Sequence, residues 1–377
     1  MGRTAPLSVF FTDSLIETDI SLSIPQYHCF NILTILVLIY KRVNLIYRSQ
    51  HRMPNLLPLN ALYGTHELTG GCGVFFMITA ASLLKEITGI IPNRADALDI
   101  LAFIMNAEYE RVPLLMSEKV ERDERVRAII EKLRDGVPPA YITNRRHFYG
   151  REFYVNENVL IPRYETEILV EKALELAPKR NPRVLDLCTG SGCILLSVLA
   201  EMEGATGVGV DISFAALEVA RENRRRLGLE SRAEFIQGDV LGELGIQGGF
   251  DMVLCNPPYV TEQEYETLEK SIMYEPFQAL VAADEGLVFY KKLIDIVPDL
   301  CNKNWVALAE VGAGQFKALN GIYSGFSAGS EQKSSKIYGG FSASSERNPS
   351  KTYGGFEHRF YCDLSGIKRV LFWKSWS

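Results

Sequence analysis

A chain of 377 residues is long enough for two domains and a sizeable core. Its net charge of −6 argues against a chain built mainly to grip nucleic acid, because phosphate binding wants a basic face. The seven cysteines show no C-x-x-C pairing, which excludes a recognisable zinc site or disulfide framework and points to a reducing, cytoplasmic setting with no metal.

Residues 1–76 read differently from the rest. The apolar run Cys29 to Tyr40 is too short for a spanning helix, which needs about 20 residues. Asp13, Glu17 and Asp19 precede it, against a secretory or mitochondrial leader. The expectation is an accessory or misassigned extension with no membrane anchor, and a working protein that begins near Met77.

From Met77 the pattern turns helical. Ala80, Leu83, Leu84 and Ile87 share one face, and Gly89 and Pro92 end that helix. Ala95 to Tyr109 predicts a second helix. Val120 to Leu133 predicts a third, charged and surface-lying, with Gly136 just past its end. Residues 77–135 therefore form a small helical domain. Residues 136–158, rich in aromatics, read as a hairpin-like linker. Leu160-Ile161-Pro162-Arg163 then leads into a helix over Glu165 to Leu176.

Beyond Arg183, strands and helices alternate as in a parallel sheet covered on both faces. Strands are expected at Val184–Leu187, Gly207–Asp211, Ala233–Gln237, Asp251–Cys255 and Trp305–Val311. The intervening helices are Cys193–Glu201, Phe214–Leu227 and Glu285–Leu300. The second of these carries a basic outer face, Arg221, Arg224, Arg225 and Arg226, read as solvated. Phe360–Asp363 and Arg369–Trp373 pair as a closing hairpin. Tyr323-Ser324-Gly325-Phe326, Tyr338-Gly339-Gly340-Phe341 and Tyr353-Gly354-Gly355-Phe356 recur every 15 residues in Ser-, Gly- and Lys-rich chain. That spacing predicts a tandem insertion at about 327–356, looping off the surface.

Two strand ends carry chemistry. After the first strand, Asp186-Leu187-Cys188-Thr189-Gly190-Ser191-Gly192 makes a tight turn into a helix. Gly190 and Gly192 allow a ligand to approach the backbone closely. No G-K-[ST] follows, which removes the P-loop reading, and Leu195 breaks the G-x-G-x-x-G of a NAD site. Asp211, 25 residues after Asp186, is placed to accept both hydroxyls of a ribose. Asp239 is placed to accept from an adenine amino group. Three acidic strand ends suit a cationic sulfonium ligand, S-adenosylmethionine, better than a pyrophosphate.

The fourth strand stops at Asn256-Pro257-Pro258-Tyr259, since neither proline can donate a ladder hydrogen bond. The Asn256 side chain and the Pro257 carbonyl offer two acceptors to a planar –NH2 group, and Tyr259 an aromatic face beside it. This is where an amide or amino nitrogen is held for alkylation.

These motifs, with P-A-Y-I-T, F-Y-G-R-E-F, L-I-P-R-Y-E-T-E, E-P-F-Q-A-L-V-A-A-D-E-G-L and D-L-S-G-I-K-R-V, resemble the peptide chain release factor glutamine N5-methyltransferases, of the class I methyltransferases. The resemblance covers about 77–326 and 357–375. It implies an α/β, Rossmann-like, mostly parallel sheet with a C-terminal antiparallel hairpin over 159–377, and a helical domain before it that docks a release factor. It places S-adenosylmethionine at Cys188, Thr189, Gly190, Ser191, Gly192, Asp211 and Val240. The glutamine of a Gly-Gly-Gln loop falls at Asn256 to Tyr259, with Arg163 also on the substrate side. Asn144 departs from the family, whose members often carry glycine there. A monomer with no stable nucleic-acid binding is expected. Two alternatives stay open: a methyltransferase acting on adenine N6 in DNA or RNA, and a non-catalytic adaptor that uses the repeats.

Overall fold

The computed structural model describes residues 6–9, 20–23, 77–327 and 356–375. The chain divides at Gly73 into two compact units. In the first, β1 (Pro6–Val9) pairs antiparallel with β2 (Ile20–Ser23). The apolar run Cys29 to Tyr40 and the repeats lie outside the described residues, apart from the first Tyr-x-Gly-Phe and the final Phe356.

The second unit opens with β3 (Met77–Thr79), which pairs with β4 (Lys119–Glu121). Helices Ala80–Ile90, Arg94–Met105 and Glu124–Asp135 pack around their own core of Leu83, Ile87, Leu101, Ile130 and Leu133. The predicted second helix ends early, because Asn106 turns left-handed at φ 50° and closes it. The predicted third begins late: Val120 is a strand residue, and the Asp123 carboxylate caps Val126 N at 2.8 Å. Its charged sequence hides a buried stripe of Val126, Ile129, Ile130 and Leu133, so it is not merely surface-lying.

The linker is a short helix, Pro139–Thr143, followed by the hairpin of β5 (Arg145–Phe148) and β6 (Arg151–Tyr154). Phe148 and Phe153 are fully buried in the core of the large sheet, so this hairpin is bolted to it. Asn144 sits at φ 54°, a conformation that asparagine tolerates better than most residues. That explains how it stands where glycine is common.

The large sheet contains β7 (Arg183–Leu187), β8 (Thr206–Asp211), β9 (Ala233–Gln237), β10 (Phe250–Cys255), β11 (Cys301–Glu310), β12 (Phe356–Cys362) and β13 (Lys368–Ser375). Their order across the sheet is β12-β13-β11-β10-β7-β8-β9. The first five are mutually parallel; β13 runs antiparallel to β11 and to β12. Both faces are covered. Met252 and Leu254 of β10 face the cluster of Leu169, Leu195 and Leu217, whereas Val253 and Cys255 face that of Tyr290, Leu293 and Trp373. The expected helix from Glu285 begins instead at Val288, because Asp284, Glu285 and Gly286 all have positive φ and form a kinked turn. The basic face of Phe214–Arg226 is not simply solvated: Arg221 and Arg224 donate to the Phe235 and Ala233 carbonyls, and so clamp the helix to β9.

The chain winds outward from β7 through β8 to β9, then returns to lay β10 on the other side of β7. The sheet therefore changes direction between β7 and β10. A crevice opens at the carboxyl ends of strands at such a point. Leu187 and Cys255 are register partners, so Cys188 and Asn256 are the first residues past the two strands.

Candidate functional site

A cavity of about 400 Å³ lies at these strand ends. Of the residues singled out in the sequence, its wall holds Cys188, Thr189, Gly190, Ser191, Asp211, Asp239, Val240, Asn256, Pro258 and Arg163. Asp186, Gly192, Pro257 and Tyr259 are not on that wall, and each stands behind it for a different reason.

The floor is the turn after β7. Cys188, Gly190 and Gly192 all have positive φ, which folds the chain back sharply enough to bare its amides. Asp186 is fully buried beneath the turn and accepts from Thr189 Oγ1 at 2.6 Å, while its Oδ1 has no partner. Burial pushes its carboxyl up to about 7. A Cβ at Gly192 would meet Phe235 at 3.0 Å and Leu196 at 3.1 Å, so this glycine serves close helix–sheet packing. A Cβ at Gly190 would meet nothing within 4 Å; this is the glycine that faces open space.

Asp211, at the end of β8, ties the floor to the side wall. Its Oδ2 accepts from Gly190 N at 2.8 Å and its Oδ1 from Ser213 N at 2.9 Å. Burial still raises its pKa, the three backbone N–H groups opposing. Asp239 Oδ1 accepts from Leu241 N at 2.8 Å, which curls the loop after β9 around the cavity. The strand ends thus present carboxylates with spare lone pairs toward one space.

The opposite wall begins at Asn256. Its Nδ2 donates to Thr166 Oγ1 at 3.4 Å, so the amide end of the side chain is turned to Thr166 and the carbonyl end is left for the cavity. Pro257 and Pro258 are buried. Tyr259 points away from the cavity: its hydroxyl donates to Glu310 Oε1 at 3.2 Å, and its backbone N–H donates to the Leu280 carbonyl. These two bonds hold the end of the tetrapeptide.

Two parts of the wall had no assigned role in the sequence reading. The first is Pro276 to Ala283, with Phe277 half exposed at the rim. It is held by Glu275, whose carboxylate accepts from Arg163 Nη2 at 2.5 Å and from Ile161 N at 2.9 Å. The second is Thr166, a buried residue of the wall beside Asn256; Glu310, buried behind Tyr259, lies off the wall. The signal was present only as the letters of L-I-P-R-Y-E-T-E and E-P-F-Q-A-L. Among the described residues no cluster of His, Cys, Asp and Glu could hold a metal ion, and no helix is long and apolar enough to cross a membrane.

The family model of the methyltransferase small domain matches residues 164–288, the stretch that contains both strand ends. Among curated proteins, the chain is 36% identical over 200 residues to a release factor glutamine methyltransferase of Nitratidesulfovibrio vulgaris, covering 53% of this chain and 68% of the relative. The relative of the same name from Chlorobaculum tepidum is 37% identical, covering 57% of this chain and 75% of its own. That from Bacillus subtilis is 36% identical, covering 64% and 86%.

Proposed function

This chain belongs to the release factor glutamine methyltransferases, and from that premise we propose that it transfers a methyl group from S-adenosylmethionine to the side-chain amide nitrogen, N5, of the glutamine in the Gly-Gly-Gln motif of a peptide chain release factor.

The strand ends suit that cofactor, which carries cationic sulfonium and ammonium groups. Asp186 keeps a buried oxygen with no partner, Asp211 and Asp239 line the cavity, and Gly190 leaves room for a close approach. Cys188 to Ser191, Asp211, Asp239 and Val240 would hold it, with Asp186 and Gly192 shaping the turn. When bound, S-adenosylmethionine supplies an electrophilic methyl carbon.

The rest of the chemistry falls to the chain's own side chains. A carboxamide nitrogen is a poor nucleophile, because its lone pair is delocalised. Holding it in line is worth many powers of ten in rate, so orientation is the protein's main contribution. The observation that supports this reading best is the direction of Asn256: with Nδ2 engaged by Thr166, Oδ1 is free to accept one N–H of the incoming amide. We assign the Pro257 carbonyl as the second acceptor, reached past the wall residues Asn256 and Pro258 on either side of it. Both hydrogen bonds strengthen as positive charge develops on the nitrogen, which lowers the barrier selectively. The alkylated nitrogen is acidic enough to lose its proton without a dedicated base. Arg163 braces the wall through Glu275, and the helical segment 77–135 is the surface we assign to release-factor docking.

The direct test is Asn256→Ala. Methyl transfer should vanish while S-adenosylmethionine binding, by calorimetry, stays within about threefold, under 1 kcal/mol. Full turnover in that variant removes Asn256 from the mechanism.

A further inference from the structure

Asn223 has no part in the chemistry above. It lies on the buried stripe of the helix Phe214–Arg226, beside Ala216, Leu217, Val219 and Ala220, at 1% exposure. A carboxamide is costly in such a place unless its hydrogen bonds are made. Asn223 makes three. Its Oδ1 accepts from Tyr154 N at 2.7 Å, and its Nδ2 donates to the Tyr154 carbonyl and to the Ser191 carbonyl, each at 2.9 Å. Both hydrogens of the –NH2 are spent. The orientation is also fixed, since the reverse would set an –NH2 against the Tyr154 N–H and an oxygen against two carbonyls.

The two partners belong to different parts of the molecule. Ser191 is in the turn after β7 and lines the cavity. Its carbonyl and the Gly192 N–H form one peptide group. Asn223 holds the carbonyl end, and the Gly192 N–H donates to the Thr189 carbonyl at 2.8 Å. That peptide cannot rotate without breaking a bond at each end, and it leads directly into the helix Cys193–Glu201. Tyr154, at the end of β6, has supports of its own. Arg145 is its register partner on β5, Phe153 before it is fully buried, and the Val155 N–H after it donates to the Asn144 carbonyl. The hairpin is therefore the fixed point, and the turn is what Asn223 holds to it. Asp186 and Asp211 tie the same turn to β7 and β8 beneath it. Asn223 secures it from the covering helix.

We infer that Asn223 is a positioning residue for the cofactor turn, one that fixes the Ser191–Gly192 peptide before the cofactor arrives; this rests on the reading of Cys188 to Ser191 as the cofactor floor. A turn that is already shaped costs less to bind. The effect of Asn223 therefore belongs in cofactor affinity and not in acceptor KM.

The test uses the full chain. It follows S-adenosylmethionine Kd by calorimetry, acceptor KM with a release factor at saturating cofactor, and melting temperature. Asn223→Leu keeps much of the volume and removes all three bonds; Kd should rise about 10- to 100-fold while acceptor KM stays within about threefold. Asn223→Asp keeps the outline and the acceptor for Tyr154 N but cannot donate to both carbonyls, and Kd should rise likewise. Wild-type Kd in either folded variant overturns the inference. So does an acceptor KM that rises in step with Kd, the mark of a general loosening. A role in folding alone lowers the melting temperature and leaves the Kd of the folded protein where it was. Loss of folding in both variants also overturns the inference, because Asn223 then supports the whole fold and not the turn. A wild-type protein that does not bind S-adenosylmethionine defeats the cofactor reading, whereas a wild type that binds it, beside variants that bind it equally well, defeats only this role for Asn223.

Discussion

Arg163 and Glu275 stand 112 residues apart in sequence and meet at 2.5 Å, with the Glu275 side chain only 2% exposed. This ion pair joins the segment before the helix Glu167–Glu175 to the wall segment Pro276 to Ala283. Glu275 also receives the Ile161 backbone N–H. Replacement by alanine leaves a buried donor and a half-covered guanidinium without a partner. Glu275→Ala should cost about 1–3 kcal/mol in urea unfolding. It should also raise acceptor KM, because the wall it holds is loosened.

Gly286 backs the acceptor wall. At φ +77°, a Cβ there would lie 2.1 Å from the Tyr259 carbonyl oxygen and 2.6 Å from Gln315 Nε2. Backbone cannot yield as a flexible side chain does. Gly286→Ala should destabilise by about 1–3 kcal/mol and lower kcat about 100-fold by displacing the tetrapeptide. Steady-state kinetics beside thermal melting checks both effects; a variant with unchanged kcat contradicts the packing described.

Asp186 predicts a pH dependence. Its folded pKa, about 7, lies above the ordinary aspartate value of 3.8, owing first to desolvation. Between those values the unfolded chain has released the proton and the folded chain retains it, so folding binds a proton. The stability from this group is thus greatest below about pH 4, falls as pH rises toward 7, and is level above that. Asp186→Asn should flatten that slope when unfolding is measured without cofactor. An identical pH profile in wild type and variant contradicts the assignment.

The two edges of the repeat region are already held together. Tyr323, which opens the first repeat, stacks edge-on with Phe356, which closes the last, at 5.8 Å, and with Trp373 at 5.3 Å. We propose that the repeats are dispensable for the fold. Deleting residues 328–355 should move the melting temperature by no more than about 2–4 °C, the effect of about 1 kcal/mol, and leave kcat unchanged. A large loss of either assigns the repeats a structural role.

Much of this architecture was legible in the sequence, for a physical reason. Strands such as Ala233–Gln237 and helices such as Cys193–Glu201 announce themselves through local apolar pattern and through the glycines or prolines that bound them. The strand-end motifs are contiguous, so the topology brings them together once β7 and β10 are neighbours. The supports behind them were not legible. Thr166 reaches Asn256 across 90 residues, and Tyr259 reaches Glu310 across 51. No local period encodes such meetings. Val120 misled for the opposite reason: a strand of three residues is too short to display alternation, and the strong helical pattern that follows absorbed it. Nor did the two prolines beside Tyr259 announce that its hydroxyl meets a buried carboxyl.

The central claim is that the Asn256 carboxamide orients one side-chain amide for methylation. Purified protein should be incubated with S-adenosylmethionine carrying a labelled methyl group, together with a release factor and, separately, with DNA and RNA. Tandem mass spectrometry then locates the added group. A single methyl on the Gly-Gly-Gln glutamine, with unmarked nucleic acid, is the predicted result; methylated adenine beside an unmodified glutamine contradicts it.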